Sequence, residues 1–301
     1  MNGQDIDAAS NREAHSPRLA QTALLTALAM LAFAGNSLLC RFALKETAID
    51  AASFASLRLV SGALALALIV RLRHGGNATR AGDWRAALAL FGYAASFSYA
   101  YASLPAGTGA LILFGAVQVT MITHGLLKGE RLGLLQMAGF VAACGGLTAL
   151  MLPGVHAPSL SASILMAGAG VAWGVYSLRG RGSTNPLAAN AGNFGRASVL
   201  TLVLSGMLWR FAEFDAPGVA SAIVSGALTS GVGYAIWYTA LRALSATQAA
   251  VVQLTVPVIA ALGGVGLLGE TLTLRLVVTS IIVLGGVAAV VGGAARRLGA
   301  A

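Results

Sequence analysis

Leu127-Lys128-Gly129-Glu130-Arg131-Leu132-Gly133-Leu134 returns 140 positions later as Leu267-Leu268-Gly269-Glu270-Thr271-Leu272-Thr273-Leu274. Matches of Leu are cheap in an apolar chain, but the chain holds only ten acidic residues, so a repeated Gly-Glu followed by x-Leu-x-Leu carries weight. Outward from it, at the same offset and with no gap, Leu104, Ala106 and Ala110 fall on Leu244, Ala246 and Ala250. Gly145-Gly146 falls on Gly285-Gly286, and Phe33 with Ser37-Leu38 falls on Trp173 with Ser177-Leu178. A duplication this long in an apolar chain implies two halves packed around a shared interface, the place where membrane transporters hold their substrates.

Composition fixes the class. Hydrophobic residues make up 57% and charged residues 10%, against about 25% charged in soluble domains. The 38 glycines have no three-residue period, which excludes collagen, and the chain is too apolar for a disordered linker. Glycine at this level suits helices that approach closely in lipid. Cys40 and Cys144 lie in apolar stretches and are expected to be unpaired and inert.

Spans of about 20 residues are read at Ala20–Arg41, Ser53–Arg71, Trp84–Leu104, Gly107–Leu127, Leu132–Leu152, Leu160–Leu178, Leu187–Trp209, Gly218–Ala240, Ala246–Leu268 and Thr273–Ala294. The expected architecture is all-α: a cytoplasmic tail over 1–18, a five-helix repeat over 19–153 and a second over 159–295. The polar tail is read as mobile and not as a cleaved signal peptide. Placing loops on alternate sides puts Arg12, Arg18, Arg71, Arg73, Arg80, Arg85, Lys128, Arg131, Arg179, Arg181, Arg242, Arg296 and Arg297 on one side. Arg41, Lys45, Arg210 and Arg275 fall on the other, 13 against 4. The positive-inside rule then makes both termini cytoplasmic. An odd number of spans per half turns the second half upside down, the inverted-repeat plan of many secondary transporters, with a central cavity and alternating access. The net charge of +9 is scattered over separate loops without a basic stripe, so no nucleic-acid partner is expected.

Tyr238-Thr-Ala-Leu-Arg-Ala-Leu-Ser-Ala-Thr-Gln-Ala-Ala, continuing through Leu254-Thr-Val-Pro257 to Leu267-Leu-Gly-Glu270, resembles the second half of EamA-type members of the drug/metabolite transporter superfamily. Tyr101-Ala-Ser-Leu through Lys128-Gly-Glu130 resembles the same pattern, and Arg58-Leu fits it too. The first copy departs from it where Val117 stands for the mid-helix Pro257, which could bend the halves unequally. The resemblance implies ten helices around a central cavity in the bacterial inner membrane. Among the branches of that superfamily, the chain resembles the exporters of aromatic and other amino acids of the YddG type.

Among single residues, Glu130 and Glu270 follow a Gly at span ends and are read as caps for the helix that follows each, with proton coupling as the competing role. No other carboxylate lies within a span, so facilitated transport or exchange is expected over a carboxylate-driven pump. Arg196 is the deepest charge, in a helix that also carries Asn190 and Asn193, and is a candidate anchor for a substrate carboxylate. Arg58 is read as structural. Trp173, Tyr99, Tyr101, Trp237 and Tyr238 are candidate cavity aromatics, each weighed against packing or the membrane-interface belt, where Trp84 and Trp209 belong. Asn36, Ser37, Gln118, Thr123 and His124 are polar at membrane depth; Asn36, Gln118 and Asn193 join the cavity candidates, and His124 is expected to pack. No metal cluster, cofactor motif or nucleophile-base pair stands out, so an enzyme is not expected. The short loops argue against a scaffold or receptor. The expectation is an exporter or facilitator of small amphipathic metabolites, amino acids first, with drugs or other organic metabolites as the alternative. Its partners are a small-molecule substrate and the lipid bilayer; a monomer is compatible with this plan.

Overall fold

The computed structural model describes residues 3–74, 81–154, 157–180, 183–244 and 246–298. Of the basic residues used for orientation, Arg80 and Arg181 lie outside the described residues, as do the side chains of Arg12, Arg18, Arg296 and Arg297.

Among the described residues the chain is all helical: α1 (Gly3–Glu46), α2 (Ala51–His74), α3 (Trp84–Tyr101), α4 (Ala106–Leu127), α5 (Leu134–Met151), α6 (Leu160–Gly180), α7 (Pro186–Met207), α8 (Ala216–Leu241), α9 (Ala246–Gln253, then Thr255–Leu268) and α10 (Leu274–Leu298). Helix α1 begins at Gly3, so helix precedes its apolar span where the sequence reading expects a mobile tail. Eight helices are long and apolar enough to cross a membrane. The two outside that set are α3 and α7. They are long enough, about 27 and 33 Å at 1.5 Å per residue. Tyr93, Ser96, Ser98 and Tyr99 dilute the apolarity of α3, and Asn190, Asn193 and Arg196 that of α7.

Four helix starts, those of α2, α3, α7 and α8, follow the capping rules. Asp83 accepts from the backbone N–H of Arg85 and Ala86 to start α3, and Asp215 accepts from Gly218 to start α8. Asp50 caps α2 through Ala52 and Ser53, and Asn185 caps α7 ahead of Pro186. The Gly-Glu pairs close helices: Gly129 and Gly269 adopt φ of +90° and +62°, which favours glycine, and end α4 and α9.

Helix α5 packs on α10, α2 on α7, and α4 on α9. Helix α3 packs against α6 and α7, as α8 packs against α1 and α2; α6 also meets α4, and α1 meets α9. Leu24, Leu28, Leu64, Leu68, Leu134, Ile164, Leu262 and Ile281 point outward, the surface a bilayer would cover. Several buried or half-buried hydroxyls return hydrogen bonds to the preceding turn, as Ser98 to Ala94, Thr120 to Ala116 and Ser198 to Phe194, so they cost little in an apolar interior, whereas those of Thr26 and Ser163 are buried without a partner.

Candidate functional site

Rings meet where α1, α3, α6 and α8 converge. The i, i+4, i+8 stripe Tyr93, Phe97, Tyr101 on α3 lays Phe97 against both neighbours, at 5.2 and 4.7 Å between centroids. Trp173 on α6 packs on Tyr93 at 4.8 Å, on Tyr176 at 5.4 Å and on Tyr234 of α8 at 5.4 Å. Tyr234 also meets Phe33, Phe194 and Tyr238. Offset and edge contacts of this kind add about 0.5–1.5 kcal/mol per pair.

Between these rings lies a narrow cleft of about 30 Å³, lined by Phe33, Asn36, Ser37, Tyr93, Phe97, Leu113, Phe114, Trp173, Thr229, Ser230, Tyr234 and Gln253. That space accepts about one or two waters. Polar groups along it are chained. Asn36 donates to the Tyr93 hydroxyl at 3.3 Å and accepts from Ser225 at 2.7 Å. Ser225 opens a π-helical stretch of α8, Ser225–Val232, a local widening common at functional positions.

Arg58 stands directly behind this wall. It is 1% exposed, and its guanidinium carbon lies 5.1 Å from the Tyr93 ring centre and 4.7 Å from that of Phe97. Its Nε and Nη1 have no hydrogen-bond partner. Burying an arginine at membrane depth costs about 2.5–3.5 kcal/mol on insertion scales. Each ring contact returns about 0.5–2 kcal/mol, whereas every unpaired donor costs about 1–3 kcal/mol. The rings therefore offset part of the charge's cost and leave the hydrogen-bonding deficit standing.

The two ends of the bundle differ. On the Glu46 side, the Glu270 carboxylate accepts from Arg41 Nε at 2.9 Å and from the backbone N–H of Ala106, the first residue of α4, at 2.8 Å. Arg41 Nη1 also donates to the carbonyls of Tyr101 and Ala102. This clasp joins α1, α3, α4 and α9 and is nearly buried, with Arg41 and Glu270 side chains 9% and 8% exposed. On the Lys128 side, a groove of about 820 Å³ separates α1 from α9, lined mostly by apolar groups with Thr22, Thr26, Gln248 and Thr255 among them. It reaches Met30 and Val252, one turn and one residue from the cleft residues Phe33 and Gln253.

The expected site residues separate accordingly. Asn36 and Trp173 line the cleft, beside Phe33 and Ser37, which were not among the cavity candidates. Trp237 packs edge-on against Phe33, and Tyr238 stacks on Tyr234 while accepting from Asn190 at 2.7 Å; both back the ring cluster. Gln118 is buried on α4 outside that lining. Tyr99 is exposed on the outer side of α3, and Tyr101 is buried at the clasp, its hydroxyl donating to Ala106. Asn193 accepts from the backbone of Asp83 and donates to Tyr176, which itself donates to Asn190. Arg196 donates from Nη1 to the carbonyls of Ala81 at 2.6 Å and Gly192 at 3.0 Å, reaching back to the loop before α3 and away from the cleft.

Further expectations change with these positions. Glu270 caps α4 across the bundle instead of the helix that follows it, and Glu130 is exposed, with no cap or ion pair seen among the described residues. His124 and Thr123 are exposed on the last turns of α4 rather than packed. Tyr93, Phe97 and Tyr234 carry the cleft although the sequence reading passed over them. The four-residue spacing of Tyr93, Phe97 and Tyr101 was the available signal. No group of three or more His, Cys, Asp or Glu side chains that could hold a metal is found among the described residues.

Comparison with known proteins adds the lineage. The model of the EamA-like transporter family matches twice, over residues 21–152 and 160–292. An uncharacterized protein of Pseudomonas aeruginosa is 57% identical over 285 residues, covering 93% of this chain and 97% of its own. An uncharacterized transporter of Archaeoglobus fulgidus is 26% identical over 280 residues, 89% of this chain and 96% of its own. A protein of Streptantibioticus cattleyicolor named "Probable terminal-alkyne amino-acid exporter" is 28% identical over 176 residues, 56% of this chain and 58% of its own. A crystal structure with 18% identity superposes with a TM-score of 0.65 over 93% of this chain and 99% of that one, a likeness of fold.

Proposed function

Because the chain belongs to the EamA-like transporter family, we propose that it exports small amphipathic metabolites, amino acids with aromatic side chains foremost, by alternating access. In this reading all ten helices cross the bacterial inner membrane, α3 and α7 included, as two five-helix repeats of opposite orientation with both termini cytoplasmic. The pattern of packing supports the repeats. Replace each helix by the one five places away, and α3–α6 and α3–α7 become α8–α1 and α8–α2, while α2–α7, α4–α9 and α5–α10 map onto themselves. The 13-against-4 distribution of basic residues supports the orientation.

One observation carries the reading: an aromatic cleft at the meeting of the halves, with a groove leading toward it from one side and a buried clasp shutting the other. This is the geometry of a carrier resting open to the Lys128 side, the cytoplasmic one on the charge count. An amino-acid exporter among the relatives supports the substrate class. Vesicles reconstituted with the protein should equilibrate labelled phenylalanine faster than empty vesicles. Absence of flux for phenylalanine, tyrosine and tryptophan alike would overturn the proposal. A reporter fused after residue 301 should be cytoplasmic; an external one removes the opposed halves.

A further inference from the structure

We propose that Arg58 is the anchor for the substrate's carboxylate, so that the cleft selects aromatic carboxylates over the matching amines and esters. The inference rests on the transport reading above and assigns the site's chemical selectivity.

Among the described residues Arg58 is the most deeply buried cation, and no carboxylate forms an ion pair with it. Its Nε and Nη1 are without partners in a buried, ring-lined setting. The neighbouring polar groups of the cleft, Asn36, Tyr93 and Ser225, are neutral and bonded to one another. A buried guanidinium with open donors and no counter-charge is complementary to a carboxylate, which accepts charge-assisted hydrogen bonds from it.

Only one layer of side chains separates this cation from the cleft, because Tyr93 and Phe97 touch Arg58 and line the cleft at once. At about 30 Å³ the cleft cannot hold an amino acid until those rings part. Parting them uncovers the guanidinium, and the ligand's ring takes the place of the displaced stack against Trp173 and Tyr234. The backbone beside Arg58 sits against the π-helical stretch of α8: a methyl group on Gly226 would lie 2.0 Å from the Arg58 carbonyl. Arg196 is a poor rival, since it is turned to the loop carbonyl of Ala81 and does not line the cleft.

The test uses four probes sharing one ring: phenylalanine, 3-phenylpropionate, phenethylamine and phenylalanine methyl ester, with equilibrium binding measured on the purified full-length protein. The two carboxylates should bind at least about tenfold more tightly than the amine and the ester, as a site built around a polar anchor discriminates. Arg58→Gln should bring all four within about threefold by weakening the carboxylates alone, and Arg58→Lys should restore part of the preference. Equal binding of phenylalanine and its methyl ester to the wild-type protein would overturn the assignment, as would a preference that survives Arg58→Gln. Should Arg58→Gln fail to fold, the wild-type comparison decides alone. Flux of phenylalanine without carboxylate preference sinks this inference and spares the transport reading; no binding and no flux with any probe sinks both.

Discussion

Two corners of this molecule carry the same residues and make different bonds. At Gly269-Glu270 the carboxylate holds Arg41 and the start of α4 in a pair whose side chains are under a tenth exposed. At Gly129-Glu130, the copy 140 positions earlier, the carboxylate stands exposed. The helices behind them differ in the same sense. Helix α4 runs unbroken from Ala106 to Leu127 with 56% of its apolar stretch buried, while α9 breaks at Leu254 and buries 28%. Pro257 explains the break. It has no N–H for the carbonyl of Gln253, and its ring crowds that carbonyl, whereas Val117 in α4 does neither. The shared Gly-Glu pair thus meets unequal surroundings beside a Val-for-Pro difference, and on the proposed function this is what a carrier held in one of two exchangeable states requires.

The largest test exchanges the interruption itself. Val117→Pro would break the buried, continuous α4 and should destabilise the protein by about 3 kcal/mol or more. Pro257→Val, at a position already adapted to a break, should change stability by about 1 kcal/mol or less. Thermal unfolding in detergent reads both. Comparable losses from the two substitutions would mean that α4 and α9 are not different in the way described.

Next in size is the clasp. Glu270→Gln keeps shape and an acceptor for Ala106 but removes the charge facing buried Arg41, a loss of about 2 kcal/mol. Glu130→Gln, exposed and unpaired among the described residues, should stay within about 0.5 kcal/mol. Combining Glu270→Gln with Arg41→Met should cost less than the sum, because the second change removes the charge that the first leaves uncompensated. Additive losses would separate the clasp from closure of the Glu46 side.

Leu104 and Leu244 extend the contrast to accessibility. They are counterparts in the repeat, yet Leu104 is fully buried and Leu244 lines the groove. With Cys40 and Cys144 replaced, Leu244→Cys should react with a water-borne maleimide on the order of ten times faster than Leu104→Cys, the factor given by about 1.4 kcal/mol of local opening. Matching rates would mean that the groove does not admit water.

Much of the fold was legible because hydrophobic length and punctuation are one-dimensional properties. The span read at Trp84–Leu104 is the helix Trp84–Tyr101, and Leu160–Leu178 is Leu160–Gly180. The site was less so, because position along a helix gives depth and not direction. Arg196 lies about 15 Å into α7 by rise, farther than the roughly 10.5 Å of Arg58 in α2. Yet its side chain turns back to a loop 115 residues away in sequence, while Arg58 faces inward behind two rings. Tyr99 and Tyr101 share a helix and fall on different faces, one outward and one at the clasp. Asn36 and Trp173 were findable, as a polar group and an indole within the two counterpart first helices of the repeats.

The smallest expected effect belongs to the ion pair at the other end of the bundle. Asp83 and Arg179 meet at 3.1 Å with side chains 49% and 37% exposed, against 8% and 9% in the clasp. Burial pushes the Asp83 carboxyl up, but the Ala86 N–H, the Arg179 guanidinium and the Arg85 N–H outweigh it and hold it below the ordinary range. A depressed carboxyl stabilises the fold fully above its unfolded value, about 3.9, and that contribution fades as pH falls through the folded value. Asp83→Ala should therefore cost about 1 kcal/mol near neutrality, mostly as the lost cap of α3. The gap from wild type should narrow as the medium is acidified below about pH 4, in step with protonation of Asp83. Arg179→Ala should cost under about 1 kcal/mol, since exposed pairs are screened by water and salt. An Arg179→Ala loss as large as that of Glu270→Gln would put a second buried lock on the Lys128 side, and the bundle would then be shut at both ends.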